Sequence, residues 1–465
     1  MLASGQWSAK TVIQAFMRRA ALAQQLANCV TELLPERALQ RAAELDDHLA
    51  AAGRPIGPLH GVPISVKEHI GIEGCDLNAG YVSWVGRVAE KNALILKILW
   101  DAGAVFYVRT TQPQSLMHLE TSSNLYGTTV NPFNTTLTAG GSSGGEGALV
   151  ALRGSVLGIG TDIGGSIRSP AANNGVFGLK PTALRLPVGG WSAVMAGADH
   201  ILGTIGPLST SLGGISLFVR TILDARPWLV EPSLVAIPWR GEDQLAADSK
   251  RRKLRVGVIW HDDVVRPHPP IMAGLSRVVE KLRESDEVEI VDWVPWKHEL
   301  AWKIIANLYF CDGGADELVT IAESGEPLLP LSQWILVDNP HVQEHTIQTL
   351  WKAHQERDAY RAAYAALWNE RDVDVILCPA VPGVAPKLRT ARYWGYTSQW
   401  NLLNYPAIVF PTGSHVTGES YAAHEYPADY VPMSEADRYN LELWREHGAE
   451  GYAGAPVSLQ LVARM

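Results

Sequence analysis

The chain has 465 residues, of which 47% are hydrophobic and 19% charged, and its formal net charge is −9. That length supports a large core, and the acidic balance leaves no basic field to hold nucleic acid phosphates or an anionic membrane. No uncharged apolar run reaches the roughly 18 residues that a bilayer-crossing helix requires, and no CxxC pairs the four cysteines (Cys29, Cys75, Cys311, Cys378). Scattered cysteines of this kind predict free thiols in a reducing compartment, so the expected location is the cytoplasm.

The opening MLASGQWSAKTVIQAFMRRAALAQQL lacks the charged start and apolar block of a secretory signal, and it predicts an amphipathic helix capped near Ser8. Without a signal, the sequon at Asn134 is expected to be an unmodified loop. The pattern from 9 to 51 is helical, with ELLPERALQRAAELDDHLAAA (32 to 52) carrying Ala, Leu and charge at periods of three and four. In LHGVPISVKEHI the β-branched residues around Pro63 predict a short buried strand, ISVK, ending at Lys67. A helix at 93 to 102 and a strand AVFYVRT follow. A further helix is expected at about 145 to 152, and a loop-helix turn at 166 to 174. Beyond Ala225 the glycine density falls. LRVGVIW (254 to 260), a helix near 271 to 284 and VEIVDW (288 to 293) form a β-α-β alternation of the kind that feeds a helix-covered sheet. The preceding SKRRK (249 to 253) suggests a solvated linker. Helix is expected over most of 299 to 371, then a buried strand VDVILCP. Residues 412 to 454, polar and rich in Tyr, His and Glu, are expected to form an irregular surface insertion before the last strand, APVSLQLVA.

The stretch from Thr138 to Pro181 carries two glycine clusters, GGSSGG (140 to 145) and GIGTDIGG (158 to 165), each beside serines. Glycine permits φ > 0 and close approach at an entropic cost, so clustering it twice suggests loops against which a ligand docks. A nucleotide loop is the weaker reading, since the second cluster spells GxGxxxG and no GK[ST] follows. Ser142 and Ser166 sit in these clusters, and successive N–H groups ahead of Ser166 would suit a developing oxyanion. Lys67 is the unusual upstream residue. It either snorkels to the surface at a strand end or is buried, in which case desolvation lowers its pKa and makes it a usable base. His341 and His345 are four apart, as two metal ligands on a helix would be, but no HExxH surrounds them and a solvated helix face is the better expectation.

Taken together, GVPISVKEHI, PQSLMHLETSSN, GGSSGGEGAL, GIGTDIGGSIRSPAANNGVFGLKPT and APVSLQLV resemble the amidase signature family in order and spacing, with the acetamidase-like general amidases of fungi as the nearest group. The resemblance implies a single α/β domain over 1 to 465, with a central mixed β-sheet covered by helices on both faces. It also implies a catalytic set of Lys67, Ser142 and Ser166. Ser166 would be the nucleophile, and Ser142, after a cis peptide at Gly141, would relay the proton to Lys67. The oxyanion donors would be the N–H groups of Ile163, Gly164, Gly165 and Ser166. Asp162 and Arg168 would shape that loop, Ser143 would hydrogen-bond within the site, and Leu116 would wall the acyl pocket. His118 either touches substrate or is an ordinary loop histidine. No metal or cofactor is expected.

The implied reaction is hydrolysis of a carboxamide to a carboxylic acid and ammonia or amine. Rival readings are acyl transfer in a biosynthetic pathway, the glutaminase subunit of an amidotransferase, and an idle paralogue. Small uncharged amides are the expected substrates, nucleic acid is not an expected partner, and a homodimer is left open. The family pattern also includes a helix before SGQWSA and another after LQLVA. The chain has few residues to build them, so some sheet surface is expected to lack that cover.

Overall fold

Ser8 opens α1 (Ala9–Ala27), its hydroxyl accepting from the Thr11 N–H at 3.1 Å, and Asn28 closes it in the left-handed conformation. The continuous helix expected to residue 51 is corrected here. Beyond Asn28 the β-branched pair Val30-Thr31 enters β1 (Val30–Leu33), and a new helix, α2 (Pro35–Ala52), begins with proline at its first turn, where the missing N–H costs nothing. The structure, a computed structural model, describes residues 1–240, 253–419 and 421–464. Apart from Lys253, the expected linker at 249 to 253 lies outside the described residues.

The strands that follow are β2 (Pro63–Lys67), β3 (Val105–Thr110), a small ribbon of β4 (Ser122–Ser123) and β5 (Gly127–Thr128), β6 (Leu157–Asp162), β7 (Phe177–Lys180) and β8 (Thr204–Ser209). After them come β9 (Leu254–Val258), β10 (Val288–Asp292), β11 (Val375–Pro379), β12 (Ala407–His415) and β13 (Pro456–Ala463). All but the ribbon join one sheet, in the order β1-β3-β2-β6-β8-β7-β12-β13-β11-β9-β10. It is mixed. β2 runs parallel to β3 and β6, and β9 parallel to β10 and β11, while the middle of the sheet is antiparallel.

Alternation along β3 sends Val105 and Tyr107 into the cluster beneath α1, α2 and α4 (Gly144–Ala151), while Phe106 packs on the other face with α3 (Leu94–Asp101) and α6 (Leu212–Asp224). The sheet is thus covered on both faces, as expected. The β-α-β alternation is present as β9, α7 (Pro269–Arg283) and β10, with Leu254 opposite Val288 in register. The long helical region resolves into α8 (His298–Tyr309), α9 (Ala315–Ala322), α10 (Pro330–Leu336) and α11 (Ile347–Arg371). No helix among the described residues is long and apolar enough to cross a membrane.

Two expectations change. GIGTDIGG is not all loop, since its first five residues belong to β6, which is buried along its whole length between β2 and β8. The glycines there let α4 lie close on the strand: a Cβ on Gly158 would fall on the Glu146 carboxylate, and one on Gly160 would stand 2.8 Å from Ser143 Oγ. Residues 412 to 454 are irregular only in part, among the described residues between 416 and 434. β12 reaches His415, and Ser434 caps a final helix from Glu435 to Gly451 that buries Leu441 and Trp444. Three-residue spacing places those two on one helix face, and Trp444 joins the core cluster over β13.

Candidate active site

Alternation in β2 turns Ile64 and Val66 toward α3 and α6, leaving Ser65 and Lys67 to face the start of α4. Lys67 is fully buried, so it does not snorkel. Its Nζ lies 2.6 Å from Ser142 Oγ and 2.9 Å from Thr161 Oγ1. Burial pushes its pKa down to about 7, against the attraction of Asp162, Glu146 and Glu68, so a substantial share of the amine is unprotonated at neutrality. Glu146, which accepts from Ser65 Oγ at 2.5 Å and Thr110 Oγ1 at 2.9 Å, is pushed up to about 8 by the same burial.

Ser142 follows a cis Gly141–Ser142 peptide just ahead of α4. The next residue stitches the two glycine clusters together. Ser143 N–H donates to the Ser166 carbonyl at 3.0 Å, and its hydroxyl accepts from Thr161 N–H at 3.3 Å. Ser166 sits between β6 and α5 (Arg168–Asn173), at the wall of a cavity of about 320 Å³ that Ser142 and Thr161 also line. Among the described residues its hydroxyl has no hydrogen-bond partner.

The loop carrying Ser166 is folded around a buried ion pair. Asp162 accepts from the N–H groups of Gly165 (2.9 Å) and Ile167 (3.1 Å), from Asn401 Nδ2 (2.9 Å) and from Arg168 Nε (3.1 Å) and Nη2 (3.0 Å). Burial alone would raise its pKa, but Arg168, Lys180 and Asn401 outweigh that and hold the carboxyl below its ordinary value. Arg168 also donates to the Thr397 carbonyl at 2.8 Å and Asn401 Oδ1 at 2.6 Å. Removing one member of such a pair strands a buried charge, so Arg168→Met should lower unfolding free energy by about 3–5 kcal/mol. Denaturant titration checks this, and an unchanged midpoint would show that the pair does not hold the loop.

Tyr309 donates to the Ile163 carbonyl at 2.8 Å and Thr397 to the Gly164 carbonyl at 2.6 Å. With those carbonyls engaged, the N–H groups of Ile163, Gly164 and Ser166 have no protein acceptor among the described residues. Gly165 differs from its three neighbours, because its N–H is committed to Asp162. Its φ of +132° and the collision a Cβ would make with Thr397 explain the glycine. It shapes the loop.

Leu116 lines the cavity beside Met117, Ile163 and Trp191, whereas His118 is buried away from it. His341 and His345 do not share a helix face. They precede α11 in a turn, where His345 Nε2 pairs with Asn307 Oδ1 at 2.9 Å. The sequence reading missed Thr161, His69, Glu146, Tyr309, Thr397 and Asn401. Thr161 lay inside a motif already singled out, but Tyr309, Thr397 and Asn401 come from distant helices that carry no local signal.

A family model for amidases matches residues 11–465. The Schizosaccharomyces pombe protein C550.07 is 47% identical over 453 residues, covering 97% of this chain and 82% of that one. The acetamidase of Emericella nidulans is 38% identical over 471 residues, covering 100% of this chain and 84% of that one. Among solved structures, fatty acid amide hydrolase superposes with a TM-score of 0.93 at 35% identity, over 100% of this chain and 80% of that chain. The chain belongs to the amidase signature family. It is a hydrolase acting on amide bonds.

Proposed function

We propose that residues 1 to 465 form one amidase domain hydrolysing small uncharged carboxamides through an acyl-Ser166 intermediate, with Ser142 as relay and Lys67 as base. The observation that carries this reading is the fully buried Lys67 amine 2.6 Å from Ser142 Oγ, at a cavity that Ser166 shares. Ser166 Oγ attacks the carbonyl carbon, and its proton passes through Ser142 to Lys67. The N–H groups of Ile163, Gly164 and Ser166 receive the oxyanion. Lys67 returns the proton by way of Ser142 to the leaving nitrogen, the C–N bond breaks, and ammonia or amine departs. Water then attacks the ester by the same route and releases the acid.

The cavity wall suits an uncharged substrate. Among the described residues lining the cavity there is no lysine or arginine to hold an anion. Of the two lining carboxyls, Asp162 is already paired with Arg168, and Glu317, which accepts from the Tyr81 hydroxyl, is pushed up to about 8 by burial, which makes it a poor partner for a cation at neutrality. Two relatives are named acetamidases and one solved structure a fatty acid amide hydrolase, so acyl length is the variable to test. The described residues hold all four cysteines as free thiols, which supports a cytoplasmic location.

The test is a panel of aliphatic, aromatic and long-chain amides, with ammonia or amine and acid both quantified. Short uncharged amides should give the highest kcat/KM, and stoichiometric acid should form even with competing amines present. Preferential transfer to the added amine would replace hydrolysis with acyl transfer.

A further inference from the structure

His69 lines the same cavity, is fully enclosed, and stacks on Trp191 with ring centroids 5.9 Å apart. Its two nitrogens have different partners. Nδ1 lies 2.8 Å from the Ser192 carbonyl, and Nε2 lies 3.0 Å from Thr161 Oγ1. A carbonyl oxygen only accepts, so Nδ1 carries the proton and Nε2 of the neutral ring presents a lone pair. Thr161 must then donate its single hydroxyl proton to His69. That leaves Thr161 Oγ1 as an acceptor toward Lys67 Nζ at 2.9 Å.

We infer that His69 and Thr161 are positioning residues that fix the direction of the Lys67 lone pair, an inference resting on the proposed role of Lys67 as base. A neutral amine has two N–H bonds and one lone pair. With one N–H directed to Thr161, and with Thr161 unable to donate back, the lone pair is left for the Ser142 hydroxyl 2.6 Å away. The chain of bonds ends at a peptide carbonyl, which has no proton to pass on. It therefore orients Lys67 without draining to solvent the proton that the leaving nitrogen needs.

The charges around this chain fit that polarity. Burial, then the nearness of Lys67 and of Arg109, holds the His69 pKa well below its ordinary value, which keeps the ring neutral. Lys67 is faced by Asp162, Glu146 and Glu68, none of which hydrogen-bonds to Nζ.

The test compares His69→Leu, His69→Gln and Thr161→Val with wild type, in two assays on active sites counted by exhaustive fluorophosphonate labelling. One is kcat and KM on a short amide from the panel; the other is the rate of fluorophosphonate attachment, which needs an activated nucleophile but no amide turnover. General bases contribute on the order of 10²–10⁴ in rate, and loss of orientation should remove at least about tenfold of that. Both His69→Leu and Thr161→Val should therefore lower kcat per counted site and the attachment rate by about tenfold or more, with KM within about twofold. In His69→Leu the freed Thr161 hydroxyl turns onto the Lys67 lone pair, which stabilises the neutral amine and moves the ascending pH limb to lower pH. His69→Gln, whose side-chain oxygen can accept from Thr161, should recover most of both rates. Unchanged rates per counted site would overturn the inference, as would a Gln variant no better than Leu with the limb unmoved. If wild type hydrolyses no amide, the proposed substrate class fails, and the attachment rates still decide the role of His69.

Discussion

Ser166→Ala should lower amide turnover by a factor on the order of 10⁴ or more, because it removes the hydroxyl proposed to form the acyl ester. The alanine fits. Ser166 contributes to the fold through its carbonyl, which accepts from Ser143 N–H at 3.0 Å, and that bond survives the substitution. Folding and the unfolding midpoint should stay close to wild type, which separates loss of chemistry from loss of structure. A fluorophosphonate should attach at Ser166 in wild type and not in the variant, as read by peptide mass spectrometry. Attachment at Ser142 instead would exchange the nucleophile and relay roles.

As the proposed base, Lys67 should set the pH dependence of the same step. A base must be unprotonated to act, so the amidase rate should rise with pH along one limb with its midpoint at about 7, the value to which burial lowers the amine. Lys67→Ala should flatten that limb and reduce the amide rate by about 10²–10⁴. Lys67→Arg should not restore it, since a guanidinium stays charged at every accessible pH. Esters, whose leaving group needs less protonation, should suffer less than matched amides. The rival titrating group is Glu146, raised to about 8, and an ascending limb that persists in Lys67→Ala would point to it.

Stability should move with pH in the same region. The folded-state pKa of Lys67 lies below its ordinary value of 10.5, so between about 7 and 10.5 the unfolded chain holds a proton that the folded chain does not. Its contribution therefore favours folding increasingly as pH rises through that window, and levels off outside it.

Much of the outline was legible because it rests on local pattern. Alternating β-branched residues marked β2 and β3, and three- and four-residue periodicity marked α3, α7 and α11. The failures also have local causes. β1 is only Val30–Leu33, too short to show a period between two strong helical patterns. In β6 the glycines that look like loop are there because α4 packs against the strand.

The sequence by itself determined the chemical inventory of the site: a lysine ending an apolar strand, two serines in glycine-rich turns, and the run of residues resembling a family with that inventory. What it could not settle was whether Lys67 faced solvent or protein, because snorkelling and burial share one local pattern. Only the tertiary structure decided that, by closing β3, β6 and α4 around the amine and so withdrawing the water that would keep it charged. Partner choice was decided at the same level. Gly165 N–H faces Asp162 because Arg168 and, from a distant helix, Thr397 and Asn401 build the loop around that carboxylate. Hydrogen-bond direction depends on where a second atom stands, and that atom is often more than two hundred residues away.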